Sequence, residues 1–148
     1  MGTMHESLLI DPGAVARVDA DCIQSGMDSF RLMQAAGHAV AAAALRDWPG
    51  ALRFVVLTGP GNNGGDGSVA AKVLADSGAT VRLYQLSPAP PSTADARRAL
   101  AECGLAAEAL DDYWPQPGDV VIDALFGAGL ARDLSADVGR LIGRIEAA

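Results

Sequence analysis

The sequence predicts an α/β fold, a mainly parallel sheet with helices on both faces. Three observations carry that prediction. Short apolar runs rich in β-branched residues, at 53–58, 80–86 and 119–126, read as strands. Segments with helical patterning separate them. The first strand feeds a glycine-rich turn that opens a helix, in Val55-Val56-Leu57-Thr58-Gly59-Pro60-Gly61-Asn62-Asn63-Gly64-Gly65-Asp66-Gly67-Ser68-Val69. Alternation of this kind implies right-handed crossovers and a parallel sheet.

The elements follow in order. Residues 1–10 read as a flexible lead. Asp11-Pro12 starts a first helix, a cap followed by proline at the first helical position, and Gly26 stops it after Gln24. Asp28 or Ser29 caps a second helix to about Asp47. Gly37 inside it costs about 1 kcal/mol against Ala, which suggests close approach of another backbone. The helix after the glycine turn takes up at Ser68 and ends near Ser77-Gly78. Ser92-Thr93-Ala94-Asp95 has capping-box spacing, with Asp in place of Glu, and opens a helix to Cys103 that Gly104 ends. Residues 105–110 read as a short strand. Residues 111–114 read as a surface loop with Tyr113 and Trp114 partly tucked in. The strand 119–126 reads as buried, and Ser135 caps a last helix bearing Val138, Leu141, Ile142 and Ile145.

At 148 residues the chain reads as one domain with a sizeable core. A net charge of −7 gives no general attraction to nucleic acid or to an anionic membrane. Cys22 and Cys103 form no metal-binding spacing and no disulfide framework. There is no secretory signal pattern and no apolar run of membrane-spanning length, so the cytoplasm is the expected location.

Two glycine-rich turns carry the functional signal. Gly59, Gly61 and Gly64 satisfy G-x-G-x-x-G in a strand-to-helix context, which suits an anion at a helix N-terminus. A nicotinamide dehydrogenase would also carry an acid at the end of the next strand. Thr80-Val81-Arg82-Leu83-Tyr84-Gln85 has none, and no P-loop Lys-Ser or Lys-Thr follows the glycines. The unusual part is Asn62-Asn63-Gly64-Gly65-Asp66, whose amide and carboxylate oxygens suit a hard cation or sugar hydroxyls. The plain alternative is that the asparagines tolerate left-handed turns and Asp66 caps the helix. The second turn, Gly127-Ala128-Gly129-Leu130-Ala131-Arg132-Asp133, follows a second apolar strand. In a strand order 3-2-1-4 both turns face the switch-point crevice. Asp123 sits near the end of that strand. It would share a cation with Asn63 across the crevice, or else accept backbone N–H bonds and order the next loop. Arg132 would reach a phosphate or pair with Asp133. His38 is expected to lie beside its helix without chemistry.

These two stretches resemble one family. Gly59 to Gly67, G-P-G-N-N-G-G-D-G, is similar to the signature of the NAD(P)HX epimerases, the YjeF N-terminal domain family. Asp123-Ala124-Leu125-Phe126-Gly127-Ala128-Gly129-Leu130 resembles its second motif, with Ala128 in place of Thr. Leu32-Met33-Gln34-Ala35-Ala36-Gly37 resembles its N-terminal helix, with Gln34 for Glu. The resemblance implies a Rossmann-like αβα sandwich preceded by two N-terminal helices, a homodimer, and a bound potassium ion (K+). It implies epimerisation of the R and S forms of hydrated NADH and NADPH, so that an ADP- or ATP-dependent dehydratase can restore the S form. By position, the family's substrate contacts fall on Asn62, Asn63, Gly64, Gly65 and Asp66, and on Gly127, Ala128, Gly129, Leu130, Ala131, Arg132 and Asp133. The potassium ligands fall on Asn63 and Asp123. Asp66 or Asp123 is the expected acid–base group. A third family motif, Asp-x-Pro-Ser-Gly, would lie beyond Ala148. The chain is therefore expected to be a truncated form of the family domain, weak or inactive alone, with its C-terminal strands missing. The rival class is a non-catalytic binding scaffold of the same fold.

Overall fold

The computed structural model describes residues 28–127 and 136–147, with Arg17, Val18, Ala20, Asp21, Gln24 and Gly26. Of the expected first helix, the described positions Arg17, Val18, Ala20, Asp21 and Gln24 are helical, and Gly26 has φ +91°. The remainder of that helix, the lead at 1–10 and the cap at Ser135 lie outside the described residues.

Helix α1 spans Ser29–Asp47. Asp28 is its N-cap, the carboxylate accepting the Phe30 N–H at 3.1 Å. Phe30, Met33, Gly37, Ala41 and Ala44 are buried along one stripe at helical spacing. Strand β1 (Arg53–Thr58) leads into α2 (Asn62–Asp76), then β2 (Val81–Gln85), α3 (Ala94–Cys103) and β3 (Ala107–Ala109). A 3-10 turn over Leu110–Asp112 precedes β4 (Asp119–Ala124), and α4 spans Ala136–Glu146. The sheet order is β3-β2-β1-β4, and each pairing is parallel. Order therefore reverses between β1 and β4. On one face Phe54, Val56 and Leu83 pack with Ala41, Ala70, Ala71, Leu74 and Cys103 of α1, α2 and α3. On the other, Val55, Leu57 and Tyr84 pack with Leu110, Tyr113, Val138 and Leu141. The result is the expected three-layer sandwich.

Four local expectations are corrected. Helix α2 begins at Asn62 rather than Ser68, because Gly61 already serves as its extended N-cap (φ −96°, ψ −167°). The cap of α3 is Thr93, whose hydroxyl accepts the Ala96 N–H at 3.2 Å. Ser92 is turned to the Pro60 carbonyl and Asp95 accepts Ser29 Oγ, so no capping box forms. Strand β4 is only half-buried, because among the described strands it pairs with β1 alone. The two aromatics of the 111–114 segment part ways: Tyr113 is wholly buried, whereas Trp114 is 65% exposed beneath the Arg144 guanidinium.

The far end of the sheet from the glycine turns is closed by an ion pair. Arg53 donates both guanidinium arms to Asp119 at 2.8 and 2.7 Å, across paired positions of β1 and β4. Tyr113 Oη and the Gln116 N–H also donate to Asp119 Oδ2. Burial alone pushes the Asp119 carboxyl up. The Arg53 and Gln116 hydrogen bonds and the arginine charge outweigh it and hold the group below the ordinary carboxylate range. Burial, then the Asp119 charge, pushes the Tyr113 phenol up to about 12.

A depressed native carboxyl stabilises the fold above the unfolded value, near pH 4, and that stability is lost as pH falls through the lower native value. The wild type should therefore lose stability in acid below about pH 4. Asp119→Asn should cost about 2 kcal/mol at neutral pH, since it strands a mostly buried guanidinium, and it should flatten that acid limb. Urea unfolding at a series of pH values reads both effects.

Candidate active site

The site is built at the carboxyl ends of β1 and β4. The Gly59 N–H donates to Ala124 O at 3.0 Å and continues the strand pairing by one residue. The chain then turns through Pro60 and Gly61 into α2. The glycines here serve three different close approaches. A Cβ on Gly64 would overlap the Gly59 carbonyl oxygen. One on Gly65 would lie 2.6 Å from Met33 and 3.0 Å from the Ala96 backbone. One on Gly67 would lie 2.6 Å from Ala124 Cβ. So α2 presses its first turns against its own turn, against α1 and α3, and against the sheet. Gly37 is the matching gap on α1: a Cβ there would meet Val69 at 2.5 Å and the Asp66 carbonyl oxygen at 2.8 Å. The close approach expected of Gly37 is thus observed.

Neither alternative role for the polar residues holds. No described non-glycine residue has positive φ, so Asn62 and Asn63 are not turn formers. Asp66 stands in the second helical turn and is not the N-cap of α2, which is Gly61. Helical geometry instead divides them. Asn62 and Asp66, four residues apart, share one side and line a hollow of about 230 Å³ with Ser29, Leu32, Met33, Ala36 and Asp95. Asn63 faces the other way, and its Nδ2 donates to Phe126 O at 2.9 Å. The two glycine-rich turns therefore do converge. Asp123, at the end of β4, is exposed and accepts the Leu125 N–H at 3.0 Å. It orders the same Leu125–Phe126 segment that Asn63 holds. Gly127 lies beside Asn63. Ala128, Gly129, Leu130, Ala131, Arg132 and Asp133 lie outside the described residues. The N–H groups of Asn62, Asn63 and Gly64 open α2 without an intrahelical acceptor, the Gly65 N–H being the first to reach back, to Gly61 O.

A larger hollow of about 670 Å³, between the 111–115 segment and α4, is lined by no described residue of either turn. Its arginines, Arg140 and Arg144, are already engaged with Asp111. His38 is exposed, with Nδ1 2.7 Å from Gln34 O, as expected of a residue beside its helix. Sequence reasoning missed the proline-rich segment 87–93. Ser92 N–H and Oγ both donate to Pro60 O, and Thr93 Oγ1 donates to Asn62 Oδ1 at 2.6 Å. A Ser-Thr pair before a helix signals a cap, but nothing local signals a partner some thirty residues away.

Residues 29–148 match the family model described as YjeF-related protein N-terminus. The chain belongs to this family. It is 34% identical over 130 residues to a protein of Coxiella burnetii named bifunctional NAD(P)H-hydrate repair enzyme Nnr, covering 85% of this chain and 26% of that protein. It is 41% identical over 135 residues to a Rhodobacter capsulatus protein named NAD(P)H-hydrate epimerase, covering 76% of this chain and 58% of that one. The chain thus spans about a quarter of the first relative and somewhat over half of the second. The crystal structure of yeast ynu0 matches with a TM-score of 0.78 at 22% identity, over 94% of this chain and 65% of that one, which shows the shared fold. Within this family fold, the two turns that carry the recognised motifs are the ones joined by Asn63 and Phe126.

The close approaches predict a contrast between two glycines in helices. Ala normally gains about 1 kcal/mol over Gly there. At Gly64 the methyl meets backbone that cannot yield, so Gly64→Ala should destabilise by about 1–3 kcal/mol net. At Gly139 in α4 a Cβ meets nothing within 4 Å, so Gly139→Ala should raise the thermal midpoint. Thermal unfolding of both variants checks the pair; equal shifts would contradict the packing account.

Proposed function

We propose that this chain is the N-terminal part of an NAD(P)H-hydrate epimerase, an isomerase that interconverts the R and S epimers of hydrated NADH and NADPH. The observation that carries the reading is the junction of the two motifs at the switch point, Asn63 on Phe126, in a chain 41% identical to a protein named for that activity.

In this reading the dinucleotide phosphates lie at the start of α2, where N–H groups without an intrahelical acceptor and the helix dipole favour an anion. The hydrated ring lies toward the hollow that Asn62 and Asp66 line. Epimerisation requires that the ring carbon lose its hydroxyl as water, the ring nitrogen supplying the electron pair. Water then adds to either face of the flat cation and returns a proton. One carboxyl group that gives and retakes that proton suffices. Asp66 takes that role here: it is half-buried at the hollow, whereas Asp123 is assigned to the cation.

The residues present suit potassium in their donor chemistry. Asn63 spends its amide nitrogen on Phe126 O, and Asp123 spends one carboxylate oxygen on the Leu125 N–H. Among the described residues, the Asn63 amide oxygen and the second Asp123 oxygen remain as hard-cation donors on either side of one segment. Bound there, the ion would offset the Asp123 charge and fix the spacing of the two turns. The same reading makes the full protein a homodimer that passes the S epimer to an ADP- or ATP-dependent dehydratase, fused as the relatives named bifunctional suggest or separate. No described helix is long and apolar enough to cross a membrane.

The test mixes the full-length protein with S-NADHX and R-NADHX in potassium buffer and follows the epimers by chromatography. Exchange should be fast, should fall by about 10²-fold or more on Asp66→Asn, and should weaken when sodium replaces potassium or when Asn63 and Asp123 are both changed to Ala. Exchange at the spontaneous rate in the wild type would instead indicate a binding scaffold.

A further inference from the structure

We propose that Thr93 is a positioning residue that sets which end of the Asn62 amide is offered to the ligand. The inference rests on the reading of the α2 start as the dinucleotide-binding edge, and it deepens that reading.

Thr93 has two bonds with separable chemistry. Its hydroxyl oxygen accepts the Ala96 N–H at 3.2 Å, which caps α3. The hydroxyl proton is thereby left to be donated, and it goes to Asn62 Oδ1 at 2.6 Å. An asparagine amide has one acceptor end and one donor end. With the oxygen taken by Thr93, the NH2 end is what Asn62 can give a ligand, and it makes no hydrogen bond among the described residues. Asn62 is exposed and is the first residue of α2, beside the backbone N–H groups that lack an intrahelical acceptor. An NH2 donor there adds to the backbone donors and suits a phosphate oxygen; an amide oxygen in the same place would repel it.

The arrangement is braced. Ser92, next to Thr93, holds Pro60 O through both its N–H (2.7 Å) and its hydroxyl (2.9 Å). Arg97 in the first turn of α3 donates to Pro91 O at 2.8 Å. The Leu86 N–H donates to Thr58 O at 2.9 Å, at the other end of the same connection. The segment 87–93 is thus tied to the glycine turn, and Thr93 is delivered to Asn62 by structure on both sides.

Capping and positioning can be tested apart. Asp caps a helix as well as Thr does, but an ionised Asp has no proton to donate and would draw the Asn62 NH2 end to itself. Ser keeps both functions. The full-length protein is compared as wild type, Thr93→Ser, Thr93→Asp and Thr93→Val, each also with Asn62→Ala. Thr93→Asp should keep the thermal midpoint near wild type and raise KM for hydrated NADH about tenfold or more, the effect of one lost charge-assisted hydrogen bond, with kcat little changed. Thr93→Ser should match wild type. In the Asn62→Ala background, Thr93→Asp and Thr93→Val should raise KM no further. A Thr93→Asp enzyme with wild-type KM, or an equal rise in KM with Asn62 absent, would overturn the proposal. Binding of ADP-ribose by calorimetry is measured on the same set. If the wild type exchanges no epimers, the epimerase reading fails, and the same non-additivity in ADP-ribose affinity decides the role of Thr93. Absence of that coupling, or of ADP-ribose binding altogether, overturns it.

Discussion

At Gly64 the backbone passes so close to the Gly59 carbonyl that no side chain fits between them, and the rest of the site follows from that contact. The turn after β1 must be short, because α2 has to start at the sheet's edge and lie flat across it. Gly65 lets the same helix touch α1 and α3, and Gly67 lets it touch β4. A helix seated this closely brings its first N–H groups and its two asparagines to the point where the strand order reverses. The glycines cost backbone entropy and helix propensity, roughly 1 kcal/mol each. Packing on three sides offsets that cost.

The two ends of the sheet divide the work. At the amino ends of β1 and β4, Arg53, Asp119 and Tyr113 close the fold with a mostly buried, mutually satisfied polar group. At the carboxyl ends the polar groups are left toward solvent: Asn62 and Asp123 are exposed and Asp66 half-buried. Both ends use the same two strands. The ion pair sits at paired positions Arg53 and Asp119, five residues before Thr58 and Ala124, where the turns begin. Register fixed at one end therefore fixes how the two turns meet at the other, and Asn63 on Phe126 is the visible result.

Much of this was legible in the sequence. The strands at 53–58 and 80–86 follow from their apolar, β-branched runs. The parallel sheet follows from the alternation and the crossover rule, and the order β3-β2-β1-β4 is the usual doubly wound one rather than a consequence of the residues. Gly37 was identified as a contact point from its cost inside a helix. Other features were hidden because they depend on partners distant in sequence. Asn62-Asn63-Gly64-Gly65-Asp66 looks like a loop by composition, since two glycines and two asparagines are poor helix formers. It is helical because the neighbours close around the missing Cβ atoms. The even burial expected of β4 failed because burial is set by what lies on its outer side, which the strand's own residues do not encode. Asp123 was read as either a cation ligand or a loop-ordering acceptor; its bond to Leu125 supports the second role without removing the first. Thr93 was passed over because its significance lies in one bond to Asn62.

The central claim is that the first turn of α2 and the Leu125–Gly127 turn form one ligand-binding edge. Titrating the isotopically labelled full-length protein with ADP-ribose in potassium buffer, and following backbone amide resonances, tests it directly. The account predicts shifts at Asn62, Asn63, Gly64 and Leu125 to Gly127, with Gln116 and Asp119 at the opposite end of the sheet unmoved. Shifts confined to the Trp114–Arg144 hollow, or none at saturating ligand, would contradict it.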